Sequence, residues 1–206
     1  VPEPASTFVP SFLSLEEIST AVSEGARLGI PTAAHCIGGQ GLKDCIDGGV
    51  DVIEHMYMAA EQDVERLAAS RCVVDLTSGI FLDPSREEFL SPANALKVRL
   101  NRSRVRENVA RIIKARLPFV LGTDAYHGFL YREVGYAVEL GADPVTAIQG
   151  VTSRAARVCR LEDRIGKLEN GMEADIIAVE GNPLEDVSRL SQVGLVMKGG
   201  VVYRQP

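Results

Sequence analysis

Short apolar runs alternate with stretches of helical periodicity along most of the chain. The runs are rich in small and β-branched residues, as buried parallel strands usually are. They occupy residues 30–34, 50–54, 72–76 and 119–121. In the stretches between them, apolar residues recur every three or four positions, which predicts helices. Strands that alternate with helices in this way predict βαβ units, a parallel sheet and an α/β fold.

Capping residues mark where several predicted helices begin. Ser14 and Glu17 form a capping-box pattern, which predicts the start of the first helix. Asp143 and Pro144 predict a second helix start, because an aspartate N-cap before a proline is a common helix entrance. We expect the longest helical stretch between residues 84 and 115.

The pattern changes in the last quarter of the chain. Apolar runs at residues 174–179 and 193–197 predict strands, and the Gly-Gly pair after the second run predicts a hairpin turn into a further strand. We therefore expect two units. Residues 1–163 carry the α/β pattern, and residues 164–206 carry the strands of a small β-domain.

Composition and charge argue against several kinds of protein. With 46% hydrophobic and 24% charged residues among 206, the sequence is of ordinary globular type, so neither a disordered chain nor a coiled coil is expected. No apolar run approaches the ~18 residues of a membrane span, and we expect no membrane partner. A net charge of −6 argues against nucleic acid as a partner. The four cysteines include no C-x-x-C pair and the sequence shows no secretion signal, so we expect reduced thiols in the cytoplasm.

Three residues that can bind a metal lie at the ends of predicted strands. His35 and His55 end two consecutive strands, and Asp124 follows the fourth. In an α/β barrel the carboxyl ends of the strands converge on one face, so these side chains can meet although they are distant in sequence. Two imidazoles and a carboxylate suit a divalent metal of the zinc type. The alternatives are hydrogen-bonded structural histidines and an aspartate that caps a turn.

Four segments of the chain form a recognisable set: AAHC at 33–36, GVDVIEH at 49–55, LGTDA at 121–125 and GKLENGMEADII at 166–177. In this order and spacing they resemble the amidohydrolase superfamily, and within it the imidazolonepropionase and Xaa-Pro dipeptidase branch. The resemblance implies the C-terminal half, strands 5–8, of a TIM-like (β/α)₈ barrel, followed by part of a small β-sandwich domain. A complete barrel of this kind takes roughly 250 residues.

The resemblance also implies a role for each candidate residue. His35 and His55 would be the metal ligands of strands 5 and 6. Asp124 would be the strand-8 carboxylate that binds metal and acts as general base and proton shuttle. The cofactor would be a divalent metal, Zn²⁺ before others, with one or two ions in the complete enzyme. His127, in the loop after that strand, would contact substrate, or else is a solvent-exposed loop residue.

The sequence departs from the family pattern in two places that matter for activity. The His-x-His pair of strand 1 and the bridging lysine of strand 4 are both absent. We therefore interpret the chain as a fragment that is inactive or very weak alone and that needs a missing N-terminal half. A half barrel exposes two sheet edges, so we also expect an oligomeric assembly.

The function implied is hydrolysis of C–N bonds by a metal-activated water. Its substrates would be small amides, dipeptides or cyclic amides. Two alternatives stay open. One is a deaminase or cyclic-amide hydrolase of the same superfamily, which would share every candidate ligand. The other is a non-catalytic half-barrel subunit or binding protein that completes another chain.

Overall fold

Four parallel strands form the central sheet of the protein. The computed structural model describes residues 10–124 and 126–205. The strands are β1 (Ala33–Cys36), β2 (Val52–His55), β3 (Val73–Leu76) and β4 (Phe119–Leu121). They lie side by side in chain order, and each neighbouring pair is parallel. The α/β fold with a parallel sheet that the sequence predicts is confirmed.

Helices connect the strands and continue beyond β4. The part of the chain that the structure describes contains eight α-helices. They are α1 (Leu15–Leu28), α2 (Gly39–Gly48), α3 (Glu61–Ala68), α4 (Gly79–Leu82), α5 (Pro92–Lys114), α6 (Leu130–Glu139), α7 (Pro144–Gly150) and α8 (Ser153–Val158). Three short 3₁₀ helices span Pro84–Phe89, His127–Phe129 and Val187–Ser191. None of the described helices is both long and apolar enough to cross a membrane.

The predicted helix caps are present. The Ser14 side chain accepts a hydrogen bond from the Glu17 amide at 3.3 Å, and the Glu17 carboxylate accepts one from the Ser14 amide at 2.8 Å. At α7, the Asp143 carboxylate accepts from the Thr146 amide at 2.9 Å. These bonds satisfy amide groups that have no partner within the helix, so local sequence is enough to predict them.

Two of the predicted boundaries that differ from the structure do so for identifiable reasons. Strand β1 begins at Ala33 and not at Ile30, because the Ile30 amide donates to the Gly25 carbonyl at 2.8 Å and so belongs to the end of α1. The stretch expected to be one long helix from residue 84 to 115 is divided. Its first part is the 3₁₀ helix, and α5 starts only after Ser91, whose side chain accepts from the Asn94 amide at 3.3 Å. Pro92 favours this break, because a residue before proline avoids the helical conformation.

The helices pack on one face of the parallel sheet. Ile53, Val74 and Leu76 are fully buried on that face, as are Val105 and Ile112 of α5. Adjacent strand positions point to the other face. There, His35, Glu54 and Asp75 lie in register on neighbouring strands and are exposed or half-buried. The open face of the sheet thus carries polar side chains in a row.

A separate antiparallel sheet follows. It consists of β5 (Ile176–Val179), β6 (Val193–Lys198) and β7 (Val201–Arg204), in that order. The predicted hairpin between β6 and β7 is present, and its two glycines have positive φ angles of 54° and 80°, which a two-residue turn of this kind requires. No residue of these three strands is classed as buried.

Candidate active site

The carboxyl ends of β1 and β2 bring two histidine rings into contact. The ring centroids of His35 and His55 are 4.5 Å apart, and the ring planes meet at 66°. The strand register places the two residues on adjacent strands one position apart, because His55 pairs with Cys36, the residue directly after His35. His35 is exposed and His55 is buried. Two residues that the sequence singled out are therefore neighbours in space.

The chain turns sharply immediately after β2. His55 and Met56 have φ angles of 79° and 53°, in the left-handed region that residues other than glycine rarely adopt. Such a conformation costs on the order of 1–3 kcal/mol per residue. Surrounding contacts offset this cost, because Met56 is fully buried and its amide donates to the Cys36 carbonyl at 3.0 Å. The turn is thereby tied to β1, next to His35.

A hydrogen-bonded network fixes the orientation of the His55 ring. Its Nδ1 lies 2.7 Å from the Thr77 hydroxyl oxygen. The Tyr57 hydroxyl donates to the Thr77 carbonyl at 2.9 Å, and Asn108 donates to the Tyr57 carbonyl at 2.8 Å. With Nδ1 engaged by Thr77, Nε2 is the ring nitrogen left to act as a ligand or proton acceptor.

The surroundings of His55 favour the neutral imidazole. Burial lowers the pKa of His55 below its ordinary value, and the neighbouring His35 acts in the same direction. The charges of Asp124 and Glu54 oppose this change without reversing it. A neutral imidazole is the form that binds a metal ion. The geometry and the protonation state of His55 are therefore both suited to that task.

Asp124 follows β4 at the same carboxyl end of the sheet as the two histidines. Its backbone is left-handed, with φ at 47°, and its side chain is exposed. The charge of Asp124 acts on the pKa values of His55, Tyr57 and Asp75, so the carboxylate lies within electrostatic range of all three. Ala125, the last residue of the LGTDA segment, lies outside the described residues.

The donor chemistry fits a metal only in part. Two imidazoles, one with a free Nε2, suit a divalent ion of the zinc type. Across residues 10–124 and 126–205, however, no group of three or more His, Cys, Asp or Glu side chains is arranged to hold a metal ion. The charge of Asp124 acts on His55, but Asp124 does not complete a three-residue ligand set. His127 begins the 3₁₀ helix His127–Phe129 and is exposed.

Several residues that shape this region escaped the sequence analysis. Thr77 orients His55, and its position directly after β3 matches the strand-end positions of the candidate ligands, a signal that could have identified it. Asp75, on the open face of the sheet, has one carboxylate oxygen buried without a hydrogen-bond partner. Burial, together with the nearby charges of Glu54 and Asp124, raises the pKa of Asp75 to about 6. No local pattern marks this residue.

A large cavity lies at the opposite, amino end of the sheet. Its volume is about 490 Å³, and the start of β2 and the loop before β4 contribute to its wall. Five arginines also line it: Arg71, Arg116, Arg154, Arg157 and Arg160. No histidine lines it. The largest concentration of candidate catalytic groups and this cavity are therefore at different ends of the strands.

Polar side chains gathered at the carboxyl ends of parallel strands define an α/β protein of the kind whose active sites form at that end. Comparison with known proteins identifies the family. Residues 8–203 match the model of the amidohydrolase family. The chain belongs to the amidohydrolase family, whose superfamily generally uses divalent metals.

Two curated relatives illustrate the similarity. Ochratoxinase from Aspergillus niger is 33% identical over 212 residues, which cover 96% of this chain and 43% of the relative. Imidazolonepropionase from Desulfotalea psychrophila is 23% identical over 179 residues, covering 82% of this chain and 38% of the relative. The chain therefore spans less than half the length of these relatives.

Solved structures agree with this. A Xaa-Pro dipeptidase with methionine bound in its active site superposes with a TM-score of 0.84 at 30% identity, over 93% of this chain and 49% of that one. Ochratoxinase from A. niger superposes with a TM-score of 0.79 at 30% identity, over 94% of this chain and 46% of that one. The expected membership of the amidohydrolase superfamily is confirmed.

Proposed function

We propose that this chain forms the C-terminal half of a metal-dependent hydrolase that cleaves C–N bonds in small amides, dipeptides or cyclic amides. The observation that carries the proposal is the contact between the His35 and His55 rings at the carboxyl ends of adjacent parallel strands. Family membership supports the reaction class, since the similar proteins include a Xaa-Pro dipeptidase and an imidazolonepropionase.

In this proposal His35 and His55 hold a divalent metal, and Zn²⁺ is one of the ions that imidazole donors suit. When bound, the metal lowers the pKa of a water molecule and polarises the substrate carbonyl. Thr77 keeps the Nδ1 side of the His55 ring engaged and leaves Nε2 for the metal. Burial keeps His55 neutral, so the ring does not have to lose a proton before it binds.

Asp124 is the general base of the proposed reaction. Its carboxylate takes a proton from the attacking water and passes it to the leaving nitrogen, which would otherwise depart as a poor leaving group. Its exposure and its position three residues after the end of β4 leave it accessible to substrate. His127, three residues further along, is proposed to contact the substrate from the same loop.

The catalytic unit is proposed to be completed by another half barrel. The strand-1 His-x-His pair and the strand-4 lysine of the family are not among these 206 residues. Strands β1 and β4 each have a single neighbour in the described sheet, so both edges have main-chain groups available for further strands. Residues 1–163 would then be half of the barrel, and residues 164–206 part of a small β-sandwich domain. We infer an oligomeric or two-part assembly.

One observation favours a second function. Since the described residues contain no group of three metal-binding side chains, the chain could serve as a non-catalytic subunit. That alternative predicts no metal binding by the chain. A deaminase of the same superfamily would use the same candidate ligands, and only substrate assays separate it from an amide hydrolase.

Titration of the 206-residue chain with Co²⁺, followed by visible absorption, tests the metal site. We expect one weakly bound ion, and we expect its binding to be lost in His55→Ala. His127→Ala is the matched control, because it removes the one remaining imidazole and should leave Co²⁺ binding unchanged. Absence of Co²⁺ binding, or equal loss in both variants, would contradict the proposed ligands.

Substrate assays test the need for a second half. N-acyl amino acids, Xaa-Pro dipeptides and cyclic amides should not be hydrolysed measurably by the chain alone. If the chain alone hydrolyses a substrate and this activity is lost in Asp124→Ala, the proposal that the chain needs a second half is refuted. The same result would support the role of Asp124.

A further inference from the structure

Two charged side chains outside the histidine pair are completely buried. Arg86, in the 3₁₀ helix after α4, and Glu133, on α6, both have 0% side-chain exposure and form an ion pair at 2.8 Å. Removing two charges from water is unfavourable, and a buried pair recovers that loss only with good geometry and further hydrogen bonds. Burying this pair therefore contributes unfavourably to the free energy of folding unless its other contacts compensate. Those contacts also indicate what the pair does.

The Arg86–Glu133 pair joins the loops that follow β3 and β4. The Gly79 amide donates to both oxygens of the Glu133 carboxylate, at 3.1 Å to Oε1 and 2.9 Å to Oε2. Gly79 is the first residue of α4 and lies two positions after Thr77. Arg86 Nη1 donates to the Thr123 carbonyl at 3.3 Å. That carbonyl belongs to the peptide group that links Thr123 to Asp124.

The surroundings leave this pair little freedom to move. A Cβ atom at Gly79 would lie 2.5 Å from Arg86 Nη2, so only glycine permits this close approach of the loop. The rings of Tyr126 and Phe129 lie 4.9 and 5.5 Å from the Arg86 guanidinium carbon and cover it. Arg86 is thus held by groups from both loops and from α6.

Asp124 needs such support. Its left-handed backbone, with φ at 47°, is a conformation that a non-glycine residue keeps only when its neighbours hold it. The Asp124 side chain itself is exposed, so packing of that side chain does not hold it. The carbonyl of the preceding residue, Thr123, is held by a hydrogen bond from the buried Arg86.

We infer that Arg86 is a positioning residue that fixes the peptide before Asp124 and so holds its carboxylate on the side of the sheet where His55 lies. The functional part of this inference rests on the proposed role of Asp124. An arginine suits the task because separate nitrogens of one planar group reach Glu133 and Thr123 simultaneously. A lysine has one nitrogen and cannot reproduce both contacts in the same geometry.

The decisive variant is Arg86→Met combined with Glu133→Gln. The pair of substitutions leaves no unpaired buried charge, and the glutamine oxygen still accepts from the Gly79 amide. The hydrogen bond to the Thr123 carbonyl is lost. The matched control is Arg106→Met with Glu139→Gln, which removes another arginine–glutamate pair between α5 and α6 that does not touch the loop after β4.

Hydrogen–deuterium exchange of the 206-residue chain measures the effect on the loop. The amides of Gly122 and Tyr126 donate to the carbonyls of Leu76 and Thr123 at 3.0 and 3.4 Å. In the Arg86/Glu133 double variant we expect both to exchange at least about tenfold faster, with β1 and β2 unchanged. The Arg106/Glu139 control should leave the loop unchanged. Unchanged loop exchange in a folded double variant would overturn the inference, as would a uniform acceleration along the whole chain.

Co²⁺ titration of the same proteins separates this inference from the proposed function. If Asp124→Asn weakens Co²⁺ binding, the Arg86/Glu133 double variant should weaken it to a similar extent, and wild-type affinity in that variant would overturn the link to Asp124. If the chain binds no Co²⁺, the metal site proposed at His35 and His55 fails. If it binds Co²⁺ independently of Asp124, then Asp124 takes no part in holding the metal. The exchange measurement then still decides whether Arg86 fixes the loop.

Discussion

The two ends of the parallel sheet carry different kinds of residue. At the carboxyl end, the His35 and His55 rings are in contact and Asp124 follows the last strand. At the amino end, a cavity of about 490 Å³ is lined by several arginines and by no histidine.

The difference lies in how firmly the polar groups are held. His55 is buried and bonded to Thr77, and Arg86 is buried and bonded to Glu133. By contrast, arginines at the amino end, such as Arg157, are exposed. Catalysis requires groups that are fixed before substrate arrives. Fixed polar side chains are therefore a better guide to a candidate site here than the volume of a cavity.

The largest expected effect comes from Glu133→Leu at the carboxyl end. Arg86 would keep its charge, because a guanidinium does not lose its proton, and would lose its nearest carboxylate. Only Asp83, 3.7 Å from Nε and also paired with Arg132, would remain beside it. We expect the free energy of unfolding to fall by about 3–5 kcal/mol, measured by urea denaturation. Arg106→Met, which breaks a partly exposed ion pair, should change it by less than ~1 kcal/mol. Equal losses of unfolding free energy in the two variants would contradict the distinction between the buried ion pair and the partly exposed one.

Asp75→Asn tests the buried carboxylate on the open face of the sheet. The pKa of Asp75 is raised to about 6, mainly by burial. The folded chain therefore binds more protons than the unfolded chain between about pH 4 and 6, and Asp75 lowers stability as the pH rises through that range. Asp75→Asn should raise the free energy of unfolding by about 3 kcal/mol at pH 8 and leave it unchanged below pH 4. Urea denaturation at both pH values measures this, and a gain that is independent of pH would contradict the assignment.

Tyr57→Phe tests the network behind His55. The Tyr57 hydroxyl donates to the Thr77 carbonyl, and its removal leaves that buried acceptor without this donor. We expect a loss of about 1–2 kcal/mol in thermal or urea unfolding. Tyr203→Phe, on an exposed residue of β7, is the matched control and should have no measurable effect.

The smallest effect is expected at the amino end of the sheet. Arg157→Ala should change the free energy of unfolding by less than about 0.5 kcal/mol, because the side chain is exposed. It should also leave Co²⁺ binding unchanged. A marked loss of Co²⁺ binding in this variant would show that the two ends of the sheet are coupled, and the contrast between them would then fail.

Much of the fold could be predicted from local sequence. The capping box at Ser14 and the N-cap at Asp143 depend on residues three positions apart, so a single sequence contains the whole signal. The alternation of strands and helices likewise follows from hydrophobic periodicity. The short helices α4 and α8 escaped prediction because four and six residues are too few to establish a helical period. The start of β1 was misplaced because two local tendencies, a helix cap and a strand, competed for Ile30.

The candidate site likewise contains some residues that local sequence identifies and others that it does not. His35, His55 and Asp124 were identifiable because each falls within three residues of the end of an apolar run, and parallel strands end at one edge of a sheet. Thr77 and His55, by contrast, are 22 positions apart, and Arg86 and Glu133 are 47 apart. No local pattern links such residues.

The sequence by itself determined the α/β class, the helix caps, the family and the three strand-end candidates. Each of these depends on residues that are close in the chain or on a pattern shared with relatives. The tertiary structure decided which nitrogen of His55 is free, that Asp124 does not complete a three-residue ligand set, and that Arg86 binds the peptide before it. These features depend on how the connections between strands bring distant loops together, and that arrangement is set by the packing of the whole sheet against its helices.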